Sequence, residues 1–183
     1  MTGGESAKAG GLASYVLSVK DFPKPGIDFR DITGILESAE GLRLAIDELA
    51  GALEGVEFDS VVSMESRGFI FGMPLAYRLG KSFIPVRKPG KLPRPTVRET
   101  YELEYGTDTL EMHRDSLKPG QRVVIVDDLL ATGGTAAACV KLVERVGAKV
   151  AKMLFVIELL GFDARHGKLS GQDVASLITY PGK

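Results

Sequence analysis

Val123-Val124-Ile125-Val126 runs into the acid pair Asp127-Asp128, then through Leu129-Leu130-Ala131 into Thr132-Gly133-Gly134-Thr135 and the helix-forming Ala136-Ala137-Ala138. Four consecutive β-branched apolar residues make both faces of a strand hydrophobic, which predicts a buried strand of parallel sheet. The two acids stand at its carboxyl end, where open α/β sheets bind ligands. Thr132 to Thr135 lack bulk, so backbone N–H groups can approach an anion closely at a helix N-terminus. Such a loop suits a phosphate, and paired carboxylates beside it suit ribose hydroxyls or a Mg²⁺-bound sugar phosphate. An ATPase P-loop needs Lys directly before its Ser/Thr, and here Gly134 precedes Thr135. The bland alternative is a buried strand capped by two solvated acids and a glycine turn.

The rest of the chain repeats the strand–helix alternation. Strands are expected at 58–64, 82–86, 122–126, 149–157 and 173–179, and helices at 68–79 and 134–146, with a short helix at 161–166. Upstream, Leu42, Ala45, Ile46, Leu49 and Leu53 form an apolar stripe that predicts a helix over 39–53. A further helix is expected over 5–19, ended by Pro23 and Pro25, with an irregular or extended connection over 26–33. The pattern is α/β: a central, mostly parallel sheet with flanking helices. Residues 88–120 interrupt it with Pro89, Pro93 and Pro95, then 96–103 and 109–114, which alternate like a hairpin. A connection of that length suits an active-site lid that opens when the site is empty.

A chain of 183 residues is read as one domain, with residues 5–35 as a small hood. A net charge of -1 argues against nucleic-acid or anionic-membrane partners for the whole chain. Locally, Arg87, Lys88, Lys91, Arg94 and Arg98 share one acid-free segment, either a polyanion site or a solvated patch. The single cysteine, Cys139, is expected to be a small buried residue in a reducing compartment. With no secretory signal and no apolar run long enough to span a bilayer, the expected location is cytoplasmic. His113 and His166 fit no motif and read as surface residues.

The strand, acid pair and Thr-Gly-Gly-Thr loop resemble the signature of the type I phosphoribosyltransferases, which bind 5-phosphoribosyl 1-diphosphate. Four more segments match in order and spacing: Phe22-Pro23-Lys24-Pro25-Gly26-Ile27-Asp28-Phe29-Arg30-Asp31-Ile32, Glu65-Ser66-Arg67-Gly68-Phe69, Arg87-Lys88-Pro89-Gly90-Lys91-Leu92-Pro93 and Glu102-Leu103-Glu104-Tyr105-Gly106. From about Phe22 onward the chain resembles the adenine phosphoribosyltransferases within that family. The resemblance implies Mg²⁺-assisted transfer of the ribosyl phosphate to N9 of adenine, giving AMP and diphosphate in purine salvage, by a homodimer.

It also assigns roles. Ala131, Thr132, Gly133, Gly134 and Thr135 would hold the 5′-phosphate, while Asp127 and Asp128 would face the ribose and the Mg²⁺ water shell. Mg²⁺ would be held mainly by substrate and water rather than by a protein cage. Arg67, Arg87, Lys88 and Lys91, with Tyr105, would bind the diphosphate. Phe29 and Leu129 would sandwich adenine, the backbone around Asp28 and Arg67 would read its amino edge, and Arg30 would belong to the same adenine site. Glu104 would be the catalytic carboxylate that takes adenine's proton, and a non-proline cis peptide is implied near Glu65-Ser66. Asp28 departs from the family's usual aliphatic residue: pointing outward it leaves recognition to backbone, pointing inward it would accept from the amino group. The rivals are a 6-oxopurine transferase, which would carry an acid where Leu129-Leu130-Ala131 stands, and a ligand-sensing regulator. The regulator would need a DNA-binding domain for which this length leaves no room, and it need not keep Glu104.

Overall fold

The structure is a computed structural model and describes residues 11–102 and 106–182. Its first elements correct the sequence reading. Instead of a helix through residue 19, a single 3₁₀ turn, Leu12–Tyr15, is followed by strands β1 (Leu17–Lys20) and β2 (Asp28–Asp31), paired antiparallel. Gly11 at φ 65° stops any helix from extending through it, and Leu17 and Val19 alternate at period two. The hairpin closes where Asp21 Oδ1 accepts the Gly26 N–H at 2.7 Å. The connection beyond it holds one unforeseen helical turn, α1 (Thr33–Leu36), before α2 (Ala39–Gly51), which Ser38 caps by accepting the Gly41 N–H at 3.1 Å.

The alternation then follows the expected order. β3 (Ser60–Met64) leads to α3 (Arg67–Arg78) and β4 (Ser82–Val86). The hairpin β5 (Thr96–Glu102) and β6 (Thr107–His113) comes next. After it stand β7 (Arg122–Leu130), α4 (Gly134–Arg145), β8 (Lys149–Leu159), a 3₁₀ turn at Leu160–Phe162 in place of the expected short helix, and β9 (Val174–Tyr180). Five strands form one sheet in the order β4-β3-β7-β8-β9, and every pairing in it is parallel.

Both faces of the sheet are covered, as the apolar runs require. Val123 and Ile125 of β7 pack with Leu142, Val143 and Cys139 of α4 and with Leu110 and Met112 of the hairpin. Val124 and Val126 pack with Phe71 and Leu75 of α3 and Leu49 of α2. Cys139 is fully buried, and burial pushes its thiol pKa far up, so it is inert packing. His113 corrects a second expectation: it lies at the end of β6 and is buried, not on the surface, because its strand's second half turns inward beside Met112. His166 is exposed, paired with Asp163. Among the described residues no helix is long and apolar enough to cross a membrane.

The tightest seam lies between β3 and α3. A β-carbon on Gly72 would fall 2.0 Å from Ser63 Oγ and 3.1 Å from Phe83. Gly72→Ala should therefore destabilise the fold by about 1–3 kcal/mol. Ser63→Ala, which removes a buried hydroxyl lacking a hydrogen-bond partner, should recover part of that loss in the double variant. Urea-unfolding midpoints of the two single variants and the double variant check this; a wild-type midpoint for Gly72→Ala would show that the seam has slack.

Candidate active site

From β3 the chain crosses to β4 on one side and later returns to β7 on the other. Such a reversal opens a crevice at the carboxyl ends of the two central strands. A pocket of about 420 Å³ fills it. Its walls are the turn after β3 (Glu65, Ser66, Arg67), the end of β7 with Asp127 to Leu130, the loop Ala131 to Thr135, and Lys88, Tyr101 and Asp108 from the insertion. The Glu65-Ser66 peptide is cis.

β7 runs four residues further than the sequence pattern places its end, so the acids are held inside a ladder rather than in a loop. Asp128 is buried and takes the Arg67 Nε–H at 2.5 Å across the crevice. Asp127 accepts the Asp128 backbone N–H at 3.0 Å and lies against the start of α3, where a β-carbon on Gly68 would sit 2.7 Å from Asp127 Oδ1. Burial, and then the charge of Asp128, push the Asp127 carboxyl well above the usual carboxylate range. Below the acids, Gly133 adopts φ 75° at the N-cap of α4, and a β-carbon there would meet Ala164 at 3.2 Å and Leu169 at 3.3 Å. Conformation and space both demand glycine. The first turn of α4 lines the pocket, and the N–H groups of a helix N-terminus suit a phosphate there.

The insertion is anchored rather than loose at its stem. Leu110 and Met112 are fully buried, and Glu99 takes ion pairs from Lys141 and Arg145 of α4. At its pocket end a polar chain crosses from lid to loop: Thr135 Oγ1 donates to Tyr101 Oη at 3.2 Å, Tyr101 donates to Asp108 at 3.2 Å, and Lys88 pairs with Asp108. Burial alone would lower the Lys88 pKa and raise that of Asp108; their mutual hydrogen bond reverses both. Glu65 is opposed by burial too, yet the Lys88 backbone N–H at 2.6 Å and Arg87 Nε at 2.8 Å hold its carboxyl below the usual range.

Residues 33–174 match the phosphoribosyl transferase domain family. The adenine phosphoribosyltransferase of Agathobacter rectalis is 56% identical over 94% of this chain and 98% of that protein. The crystal structure of the Thermoanaerobacter pseudethanolicus enzyme of that name superposes with a TM-score of 0.89 at 54% identity, covering 92% of this chain and 98% of that one. The chain belongs to the adenine phosphoribosyltransferase family. A Saccharomyces cerevisiae member, crystallised with adenine and an imino-sugar bisphosphate, gives a TM-score of 0.85 at 40% identity, covering 91% of this chain and 96% of that one.

Of the residues that family resemblance singles out, the pocket gathers Arg67, Lys88, Asp127, Asp128, Leu129 and the whole loop Ala131 to Thr135. Arg87 and Lys91 do not line it: Arg87 is turned to Glu65 and to the Lys91 carbonyl. Asp28, Phe29 and Arg30 stand on the β1–β2 hairpin outside its walls, Phe29 edge-on to Phe22 and Arg30 over the Tyr180 ring. Strand alternation sets exposed Asp28 on the face opposite to Phe29. Glu104 and Tyr105 lie outside the described residues. Tyr101 and Asp108 escape the sequence reading. They are cross-strand partners, a pairing visible only once the strands end at Glu102 and restart at Thr107.

The raised Asp127 pKa has a stability consequence. An unfolded aspartate ionises near pH 4, so above that pH the native state is penalised relative to the unfolded chain. Asp127→Asn should thus melt like the wild type below about pH 4, gain stability as pH rises toward the elevated native value, and level off beyond it. Its turnover should fall about tenfold or more at the same time. Melting curves from pH 3.5 to 7.5 beside adenine turnover check this; a gain that does not grow with pH would contradict the burial assigned to Asp127.

Proposed function

We propose that the chain transfers the 5-phosphoribosyl group of phosphoribosyl diphosphate to N9 of adenine, giving AMP and diphosphate. The observation that carries this is the joining of a phosphate-sized loop and an acid pair in one crevice at the sheet's reversal point. The reaction passes through an oxocarbenium-like ribosyl cation with charge building on the leaving diphosphate. Ala131 to Thr135 would fix the 5′-phosphate, and Asp127 and Asp128 would face the ring and oppose its positive charge. Arg67 and Lys88 would receive the diphosphate, with Arg87 and Lys91 behind them. Leu129 would lie under adenine, opposite Phe29. Glu104 would take the proton that adenine loses, through N7, and Tyr105 would close over the site; both roles rest on the family resemblance.

Asp127 and Asp128 offer the hard oxygens that Mg²⁺ accepts, and Mg²⁺ bound on the diphosphate would neutralise leaving-group charge. Mg²⁺ would be held mainly by substrate and water, with Asp127 and Asp128 nearby. The lone buried thiol fits the cytoplasm. We also propose a homodimer. Ile70, Met73 and Tyr77 lie on one exposed face of α3, with Met73 53% and Tyr77 85% accessible, and Tyr77 continues into a groove with Leu42 and Ile46 of α2.

Product analysis with phosphoribosyl diphosphate, Mg²⁺ and each purine base in turn tests the reaction. AMP should form from adenine with a preference over 6-oxopurines on the order of 10⁴, because a site built for an amino donor leaves groups unpaired against a carbonyl. Equal turnover of hypoxanthine would overturn the substrate assignment. For assembly, Met73→Glu with Tyr77→Glu should give a monomer by light scattering; a persisting dimer would move the interface to another face.

A further inference from the structure

We infer that Lys168 is an additional phosphate-binding residue of the active site, resting on the phosphate-loop assignment above. A β-carbon placed on Gly134 would lie 3.4 Å from Lys168 Nζ, and 3.5 Å from both the Glu102 carbonyl oxygen and Tyr101 Cδ2. The ammonium therefore stands beside the first residue of α4, where the pocket end of the lid approaches that helix. No sequence motif points to it, since it follows the catalytic strand by almost forty residues.

The turn that carries it is fixed by hydrogen bonds on both sides of residue 168. Arg165 grips Glu158 with both arms of its fork, Nε at 2.7 Å, and donates to the Val174 carbonyl at 2.6 Å. Glu158 is buried, and the hydrogen bonds from Arg165 hold its carboxyl below its usual range. The turn is closed by Gly167 N–H to Asp163 O at 3.0 Å and Leu169 N–H to Ala164 O at 2.9 Å. Ala164 and Leu169 are themselves buried directly beneath Gly133. Residue 168 thus directly precedes Leu169, on which the phosphate loop rests, so its backbone is held beside that loop while its side chain stays exposed.

Charge accounts for what the ammonium does there. The two cations that line the pocket are already matched by acids, Arg67 by Asp128 and Lys88 by Asp108. Lys168 has no acid partner among the described residues. A dianionic 5′-phosphate seated on the first turn of α4 would find in Lys168 the adjacent cation whose charge no described acid offsets, adding a charge-assisted contact to the backbone N–H groups.

The test measures affinity for AMP and for adenine by calorimetry, and KM for phosphoribosyl diphosphate, in the wild type, Lys168→Gln and Lys168→Arg. Lys168→Gln should bind AMP about tenfold more weakly and raise KM for phosphoribosyl diphosphate about as much. Adenine affinity and kcat should stay within twofold, and Lys168→Arg should restore most of the loss. The wild type should also lose AMP affinity with added salt more steeply than Lys168→Gln. AMP binding within twofold of wild type in Lys168→Gln, or an equal loss for adenine, would overturn the inference while leaving the phosphate loop intact. A wild type that binds no AMP would remove the active-site reading itself.

Discussion

Between β3 and β7 the chain reverses its direction of travel across the sheet, and the Arg67–Asp128 ion pair bridges that reversal. Parallel strands on either side carry their carboxyl ends to the same edge, so three connections converge there without further design. The turn after β3 supplies Arg67, the end of β7 supplies the acids, and the loop into α4 supplies the phosphate seat. Glycine permits the convergence. At Gly68 the start of α3 comes within contact of Asp127, and at Gly133 the phosphate loop settles on Ala164 and Leu169.

The lid and the segment after β8 complete the crevice from opposite sides. The hairpin is fixed at its stem by Leu110 and Met112 in the core and by Glu99 on α4. At its pocket end the contacts are a polar run from Thr135 through Tyr101 to Asp108 and Lys88. Those contacts engage the Thr135 hydroxyl, so a phosphate that took that hydroxyl would compete with the lid's Tyr101 for it.

Local pattern makes much of this architecture legible in the amino-acid sequence. β4 lies where its alternation puts it, and β7, α4 and β8 begin where their apolar runs and glycines place them, because those signals depend on a few neighbouring residues. The departures share another cause. Residues 12–20 have enough apolar content for a helix, and only pairing with β2 makes a strand of their second half. β7 continues through Asp127 and Asp128 because β8 remains beside it to residue 159, which no acid-rich sequence advertises. Tyr101, Asp108 and Lys168 reach the site through hairpin register and a folded turn, both long-range facts. The phosphate loop is readable because one uninterrupted segment builds it; the cations around it come from three separate segments and are readable only in part.

The pairing of Arg67 and Lys88 with carboxylates of the chain's own has a bearing on selectivity. At these two positions the internal counter-ions leave little net field, so free phosphate or sulfate reaching them meets cations that are already engaged. Each such anion can contact one part of the crevice but lacks the reach to satisfy the acids it would displace. A ligand that brings an anionic group to each end, and a sugar between them to occupy Asp127 and Asp128, exchanges all the partners together. Discrimination against small anions at Arg67 and Lys88 would then rest on the exchange of charge partners rather than on the shape of the crevice.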